Sequence, residues 1–307
     1  MRSSLIAYIP HFAKDLAKRL LCKIKRPHRI GRYTILLPGD SRVVAYKSAF
    51  GLYDTALGDI AAIVRAKYPD LHAIDVGAYV GDSAALIRAS GDIPVLCIEG
   101  DRALFSLLAE NASRLGPGIA IEQTYVGADG DSVDPSKIDN LGRTASLVSA
   151  SKADGTIPLR SLERILDCHP AFRDAKLLKT DVEGYDFDIL RQSIGLIRKV
   201  RPVIFFEYAP NFRPDAPDAG LDTIRLLIES SYSDFLYYDN FGNSMAHVKA
   251  EQQTLFRDLH NYPASNRKFG TAVYYFDICA FHAEDADLAS ELTSAALKRL
   301  ATSMFYA

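Results

Sequence analysis

From residue 72 to residue 208 the chain alternates short apolar runs with helix-like stretches, and no other feature constrains its fold as tightly. "HAIDVGA" (72–78), "VLCIEGD" (95–101), "IAIEQTYVG" (119–127), "AKLLKTDVEG" (175–184) and "PVIFFEY" (202–208) suit strands covered on both faces. "DSAALIRAS", "RALFSLLAENASRLG" and "YDFDILRQSIG" fall between them with helical spacing. This order predicts an α/β fold: an open, mostly parallel sheet with helices on both faces and a ligand crevice at the carboxyl ends of its strands. "DFLYYDN" (234–240) and "TAVYYFDICAF" (271–281) predict two further strands that pair as an antiparallel edge. Ahead of the alternation, "IGRYTILLPGDSRVVAY" (30–46) predicts two strands around a Pro38-Gly39-Asp40 turn. The next stretch, 53–70, predicts a helix with Leu57, Ile60, Ile63 and Val64 on one stripe, stopped before Pro69. "NFRPDAPDAG" (211–220) is loop by composition.

The first strand runs into a glycine turn, "AIDVGAYVGDSA" (73–84). A dinucleotide turn wants G-x-G-x-x-G, its second glycine admitting the pyrophosphate to the backbone. Here Tyr79 stands at that second position, between Gly77 and Gly81, and its side chain obstructs a pyrophosphate. A ligand without phosphates fits better. Asp75 offers a carboxylate to a cationic amine, and Asp82 and Ser83 offer polar atoms at the helix start. Glu99, 22 residues beyond Gly77, is placed to accept hydrogen bonds from both hydroxyls of a ribose. A nucleoside carrying an amino acid, S-adenosylmethionine, satisfies all of these. The plainer reading is a tight strand-to-helix turn in which Glu99 caps a helix. An NAD-dependent oxidoreductase shares the same layout, with Tyr79 against it.

Three stretches in order, "AIDVGAYVGDSA", "IEGD" (98–101) and "LLKTDVEGYDFDILRQS" (177–193), resemble the FkbM methyltransferase family, whose hallmark is K-x-D-V-E-G followed by a helix. "RPVIFFEY" follows as the family's next strand. "TIPLRSLERIL" (156–166) is similar to the segment before the hallmark, with Glu163 where the family often has Asp. "GLYDTALGDIAAI" and "YYDNFGN" extend the likeness to about residues 45–280. The resemblance implies a seven-stranded, Rossmann-like class I methyltransferase fold, expected over residues 46–307; residues 1–45 read separately as an N-terminal helix and hairpin extension, and 1–30 fall outside the likeness. It implies O-methylation, often of a sugar hydroxyl in a natural product or surface glycan. Asp75, Gly77, Tyr79, Gly81, Asp82, Ser83 and Glu99 form the expected cofactor set.

Methyl transfer from a sulfonium needs alignment and removal of the acceptor's proton. Asp181 and Glu183, two apart past the fourth strand, would face one side in extended backbone. With Glu207, at the end of the fifth strand, they offer a general base or hard oxygen ligands for Mg2+. Glu183 serves equally as a helix cap and Glu207 as a partner of loop amides. Lys179 is positioned to pair with Asp181. Ser146 and Tyr208 are candidates for the acceptor pocket, and His247 has no assigned role.

With 307 residues, 48% of them hydrophobic, the chain can bury a full core. A net charge of −2 argues against a nucleic-acid binder working through a basic surface. The charge is unevenly placed: residues 1–32 hold nine Lys and Arg against Asp15 alone, a charge of +8 that leaves −10 for the remainder. Phe12, Leu16, Leu20 and Ile24 recur there at helical spacing, so residues 1–30 read either as a helix docked on the catalytic domain or as a peripheral contact with the inner membrane surface. A membrane-surface binding module without catalysis is the non-enzymatic alternative. No apolar run reaches the roughly 20 residues of a transmembrane helix; Leu5 to Ile9 is stopped by Pro10 and His11. Cys22, Cys97, Cys168 and Cys279 show no metal spacing; Cys97 and Cys279 read as buried thiols, which fits a cytoplasmic setting. The partner expected from these features is a small-molecule or glycan acceptor.

Overall fold

A computed structural model of the chain describes residues 24–133, 157–182, 184–213, 216–265 and 273–304. The expected basic helix before residue 24, Cys22, Ser146 and Glu183 lie outside them. Strands β1 (Lys25–Ile30) and β2 (Tyr33–Pro38) form an antiparallel hairpin. It turns at Gly31, which holds a left-handed φ of 54°. The expected hairpin around Pro38–Asp40 is thus displaced by one element: helix α1 (Val43–Ala49) follows that turn, not a strand. The β-branched pair Val43–Val44 favours a strand locally. Helical spacing wins because it brings the Tyr46 ring against Phe50 and Tyr53, with centroids 6.4 and 5.4 Å away.

Helix α2 (Thr55–Lys67) buries Leu57, Ile60 and Val64 as its stripe requires. The alternation then unfolds as β3 (Ala73–Val76), α3 (Asp82–Ala89), β4 (Val95–Ile98), α4 (Arg102–Leu115) and β5 (Ile119–Glu122). The run 119–127, read as one strand, leaves the main sheet after β5. Its end, β6 (Tyr125–Val126), joins a small sheet with β7 (Ser132–Val133) and β8 (Ile157–Arg160). Past the break the Tyr125 ring lies over Gly100, where a Cβ would fall 2.3 Å from it. Next come α5 (Leu162–Cys168), β9 (Leu177–Thr180), α6 (Asp186–Gln192), α7 (Ile194–Val200) and β10 (Val203–Tyr208). The chain ends with α8 (Ala219–Glu229), β11 (Tyr232–Asp239), β12 (Ser244–Lys249), α9 (Gln253–Ser265), β13 (Phe276–His282) and α10 (Ala286–Met304).

The main sheet has eight strands in the order β12-β11-β13-β10-β9-β3-β4-β5, one more than expected. Neighbours from β10 to β5 are parallel, while β13 enters antiparallel between β10 and β11. β11 and β13 pair as foreseen, but β12 takes the edge. The turn that creates β12 is built by Asp239, whose Oδ1 accepts the Phe241 and Asn243 N–H groups at 2.9 and 2.8 Å, ahead of Gly242 at φ 86°.

The pleat splits the interior into two cores. One gathers the alternate residues Ala73, Val95, Cys97, Leu177, Val203 and Phe205 under α2, α3, α4 and α10. The other gathers Ile74, Leu96, Leu178, Ile204 and Phe206 under α5, α6, α7, α8 and α9. Cys97 and Cys279 are buried free thiols. No helix among the described residues is long and apolar enough to cross a membrane.

Candidate functional site

The alternation that sorts apolar residues between two cores also sorts the polar ones at the strand ends. Leu177 faces the first core and Leu178 the second, so Lys179 returns to the first face. The same counting sends Asp75, Glu99, Glu207 and Asp277 to that face, and Glu207 stands opposite Asp277 in the β10–β13 register. It sends Tyr208 the other way. Tyr208 is buried in the second core, its ring against Phe187 and its hydroxyl 2.8 Å from His260 Nδ1. The expectation that Tyr208 lines an acceptor pocket is therefore corrected: one step along the pleat separates it from Glu207.

The glycine turn explains how the chain passes between strand and helix so closely. Gly77 has φ 76°, and a Cβ there would fall 2.0 Å from the Asp181 carbonyl oxygen. Gly77 and Ala78 donate to the Ile98 carbonyl at 3.0 and 3.1 Å, tying the turn to β4. Gly81, at φ 89°, stands before α3. Between them Tyr79 is held left-handed at φ 49°, a conformation that costs a bulky residue about 1–2 kcal/mol. What fixes it is its own N–H, which donates to Glu99 Oε2 at 2.9 Å.

Glu99 is the hinge of the site. Its other oxygen, Oε1, accepts the Asp101 N–H at 2.8 Å, so both carboxylate oxygens are oriented by main chain while each keeps a lone pair. Helix α4 is capped by Asp101, not by Glu99: the Asp101 carboxylate accepts from Ala103 and Leu104. Glu99 is 9% exposed, and burial pushes its pKa up to about 7.

Asp75 is fully buried. Ser83 Oγ donates to its Oδ2 at 2.5 Å, and the cation it meets is Lys179, 3.1 Å from Oδ1. Lys179 Nζ also donates to the Gly77 carbonyl at 3.2 Å and lies 3.5 Å from Asp181 Oδ2. The Lys179–Asp181 pair read from sequence is present, second to Asp75. Burial alone would lower the Lys179 pKa; Asp75 and then Asp181 more than offset it and hold it above the ordinary value. Asp181 itself is half exposed, just past β9 with its N–H on the Val76 carbonyl.

Around this centre stand two acids that sequence reading missed, Asp54 and Asp277, beside Asp82, which it named. Burial first, then Asp82, raises Asp54 to about 7. Burial, followed by Asp181 and Asp54, holds Asp277 well above the usual range, and burial raises Asp82. The signal for Asp277 was available as one carboxylate in the apolar run "YYFDICAF". Asp54 stands immediately before α2 and carried no such signal. His247 is structural: its Nε2 lies 2.7 Å from Asp234 Oδ1. Among the described residues no group of three or more His, Cys, Asp or Glu side chains is arranged to hold a metal ion, and the Mg2+ considered from sequence has no support.

A family model, the methyltransferase FkbM domain, matches residues 75–236. No curated protein matches. Among solved structures the chain is similar to a methyltransferase FkbM from Methylobacillus flagellatus KT, with 16% identity, TM-score 0.37, and coverage of 62% of this chain and 54% of that one. The chain thus spans about half the length of that protein. It is also similar to an O-methyltransferase from Bacillus cereus solved with SAH, with 9% identity, TM-score 0.40, and coverage of 78% and 89%. A third is TYW2 from P. horikoshii in complex with MeSAdo, with 12% identity, TM-score 0.41, and coverage of 92% and 87%.

Proposed function

Because the chain belongs to the methyltransferase FkbM family, we propose that it uses S-adenosylmethionine to methylate a hydroxyl of a sugar, glycan or natural product. The observation that carries the cofactor reading is Glu99, whose two oxygens are held by the Tyr79 and Asp101 N–H groups and each retain a lone pair for a ribose hydroxyl. Gly77 lets the turn pass against the Asp181 carbonyl and Gly81 lets it pass Leu108, while Tyr79 stands where a dinucleotide turn has its second glycine. The residues present therefore fit a nucleoside without phosphates. Asp82 and Ser83 complete the polar edge at the start of α3.

When bound, the cofactor supplies the electrophilic methyl group; the chain must orient the acceptor and take its proton. Asp75 and Lys179 act as positioning residues, since their ion pair fixes the floor of the turn. Asp181, half exposed beside that pair, is the proton acceptor in this reading, with Glu207 on the same face of the neighbouring strand.

Calorimetry with S-adenosylhomocysteine and with NAD+ tests the cofactor. Binding of the first and not the second is expected, and Glu99→Ala should weaken it by about 1.5–3 kcal/mol, the worth of a hydrogen bond to a charged group. Unchanged affinity in the variant removes Glu99 from the site.

A further inference from the structure

Two fastenings hold the chain between β2 and α2 over the carboxyl end of the sheet. At one, Asn111 of α4, fully buried, accepts the Leu36 N–H and donates to the carbonyls of Leu36 and Val80, all at 2.8 Å, so β2 is tied to the glycine turn. At the other, the Leu52 carbonyl oxygen lies 2.0 Å from where a Cβ on Gly242 would stand, and the Phe50 and Phe241 ring centroids are 4.4 Å apart. Gly242 belongs to the β11–β12 turn. Asp239 of β11 pairs with Phe276 of β13, which pairs with Tyr208 at the end of β10, so this turn stands at the carboxyl ends of the parallel strands. In the sheet β11 lies four places from β3. Residues 37–52, with α1 among them, therefore bridge the end of the sheet at which the cofactor site opens, and the Tyr46 ring is held 5.4 Å from that of Tyr53 just beyond the bridge.

Lys47 sits on this bridge, next to Tyr46. Burial raises Asp82, at the start of α3, and the first charge to oppose that is Lys47, ahead of Lys179. Burial and then Asp82 raise Asp54, and again Lys47 opposes before Lys179. Lys47 is thus placed beside both acids. Yet, half-buried, it makes no ion pair with either, nor with any other carboxylate among the described residues. Two other cations at this end are committed: Lys179 to Asp75 and Asp181, and Arg213, beside Gly184, to Asp188. S-adenosylmethionine carries an ammonium and a carboxylate on its amino-acid tail. Among Asp54, Asp82, Asp181 and Asp277 that carboxylate would meet like charge unless a cation stood with it. The geometry points to Lys47 as the residue that binds the carboxylate of the cofactor's amino-acid tail, with Asp54 and Asp82 left to its ammonium. This rests on the cofactor reading above, and it brings into the site a residue that precedes the matched family domain, residues 75–236.

Calorimetry on the full chain tests it with two ligands: S-adenosylhomocysteine, which carries the amino-acid tail, and 5′-methylthioadenosine, which lacks it. Lys47→Gln should weaken the first about tenfold, the low end for a hydrogen bond to a charged group, and leave the second unchanged. Lys47→Arg should restore most of the loss. Glu99→Ala, by contrast, should weaken both, since both ligands carry the ribose. The ligand-free thermal midpoint of Lys47→Gln should match the parent, because the side chain makes no hydrogen bond or ion pair among the described residues. Equal loss for both ligands would give Lys47 the role of holding α1 in place, and undiminished S-adenosylhomocysteine affinity would remove it from the site. Either result overturns the inference and leaves the cofactor reading standing. A parent chain that binds neither ligand overturns the cofactor reading itself, and this inference with it.

Discussion

At the residue scale the site turns on single positions whose neighbours on the pleat do something else. Asp181 is the test case. Asp181→Asn keeps the shape beside Lys179 and removes the charge, so turnover should fall about 10²–10⁴-fold, the range of a positioned acid–base group, while S-adenosylhomocysteine affinity stays near the parent value. Full turnover in the variant would transfer the role to Glu207 or Glu183. The tight strand-to-helix turn through Gly77, Tyr79 and Gly81 was legible in the sequence, because turn chemistry is local. What was not legible is how Asp75 is neutralised. Its ion pair with Lys179 joins adjacent strands more than a hundred residues apart, and only the β3–β9 register brings them together. Tyr208 shows the opposite failing: it was a candidate for the acceptor pocket, and strand pleating turns its ring into the second core.

At the element scale, the elements read correctly are those whose apolar pattern settles their type, such as α2 and the parallel strands β3, β4, β9 and β10. The misreadings fall where a side chain from elsewhere decides. α1 is helical because its aromatic residues meet at helical spacing, and β12 exists because Asp239 builds a turn. The hairpin depends on Asn111 in the same way. Asn111→Ala leaves the Leu36 N–H and the Leu36 and Val80 carbonyls without their partner, at about 1–3 kcal/mol for each buried group left unmade. Urea denaturation should show a lower midpoint, with the hairpin amides exchanging faster than those of β9. Equal exchange at both places would mean that the hairpin is held by packing alone.

At the scale of the whole molecule, the crevice collects carboxyl groups whose protons the fold retains. Burial lifts Glu99 and Asp54 to about 7, from 4.5 and 3.8, and also raises Asp186. Between the unfolded and folded pKa values the native state binds more protons, so these groups make stability fall as pH rises toward and through 7. His28, His260 and His282 are lowered by burial and act in the opposite sense, their effect being complete above their unfolded value near 6.5. From pH 7 upward the histidine effect is largely spent, so thermal melts from pH 7 to 8 report chiefly the carboxyls, and the midpoint of the ligand-free protein should decline over that window. A rising midpoint would show that the acids are ionised in the folded state. If Glu99 takes the ribose hydroxyls as proposed, it does so as the anion, so added S-adenosylhomocysteine should raise the midpoint more at pH 8 than at pH 7. The two cores carry a last consequence. Asp75, Glu99, Lys179, Glu207 and Asp277 leave the sheet on one face at its strand ends, while Phe187, Ile224 and Phe256 fill the other. The second face is thus a separate compartment for change: drift or deliberate repacking there alters how long the protein survives, and leaves which molecule it recognises to residues on the opposite side of the same strands.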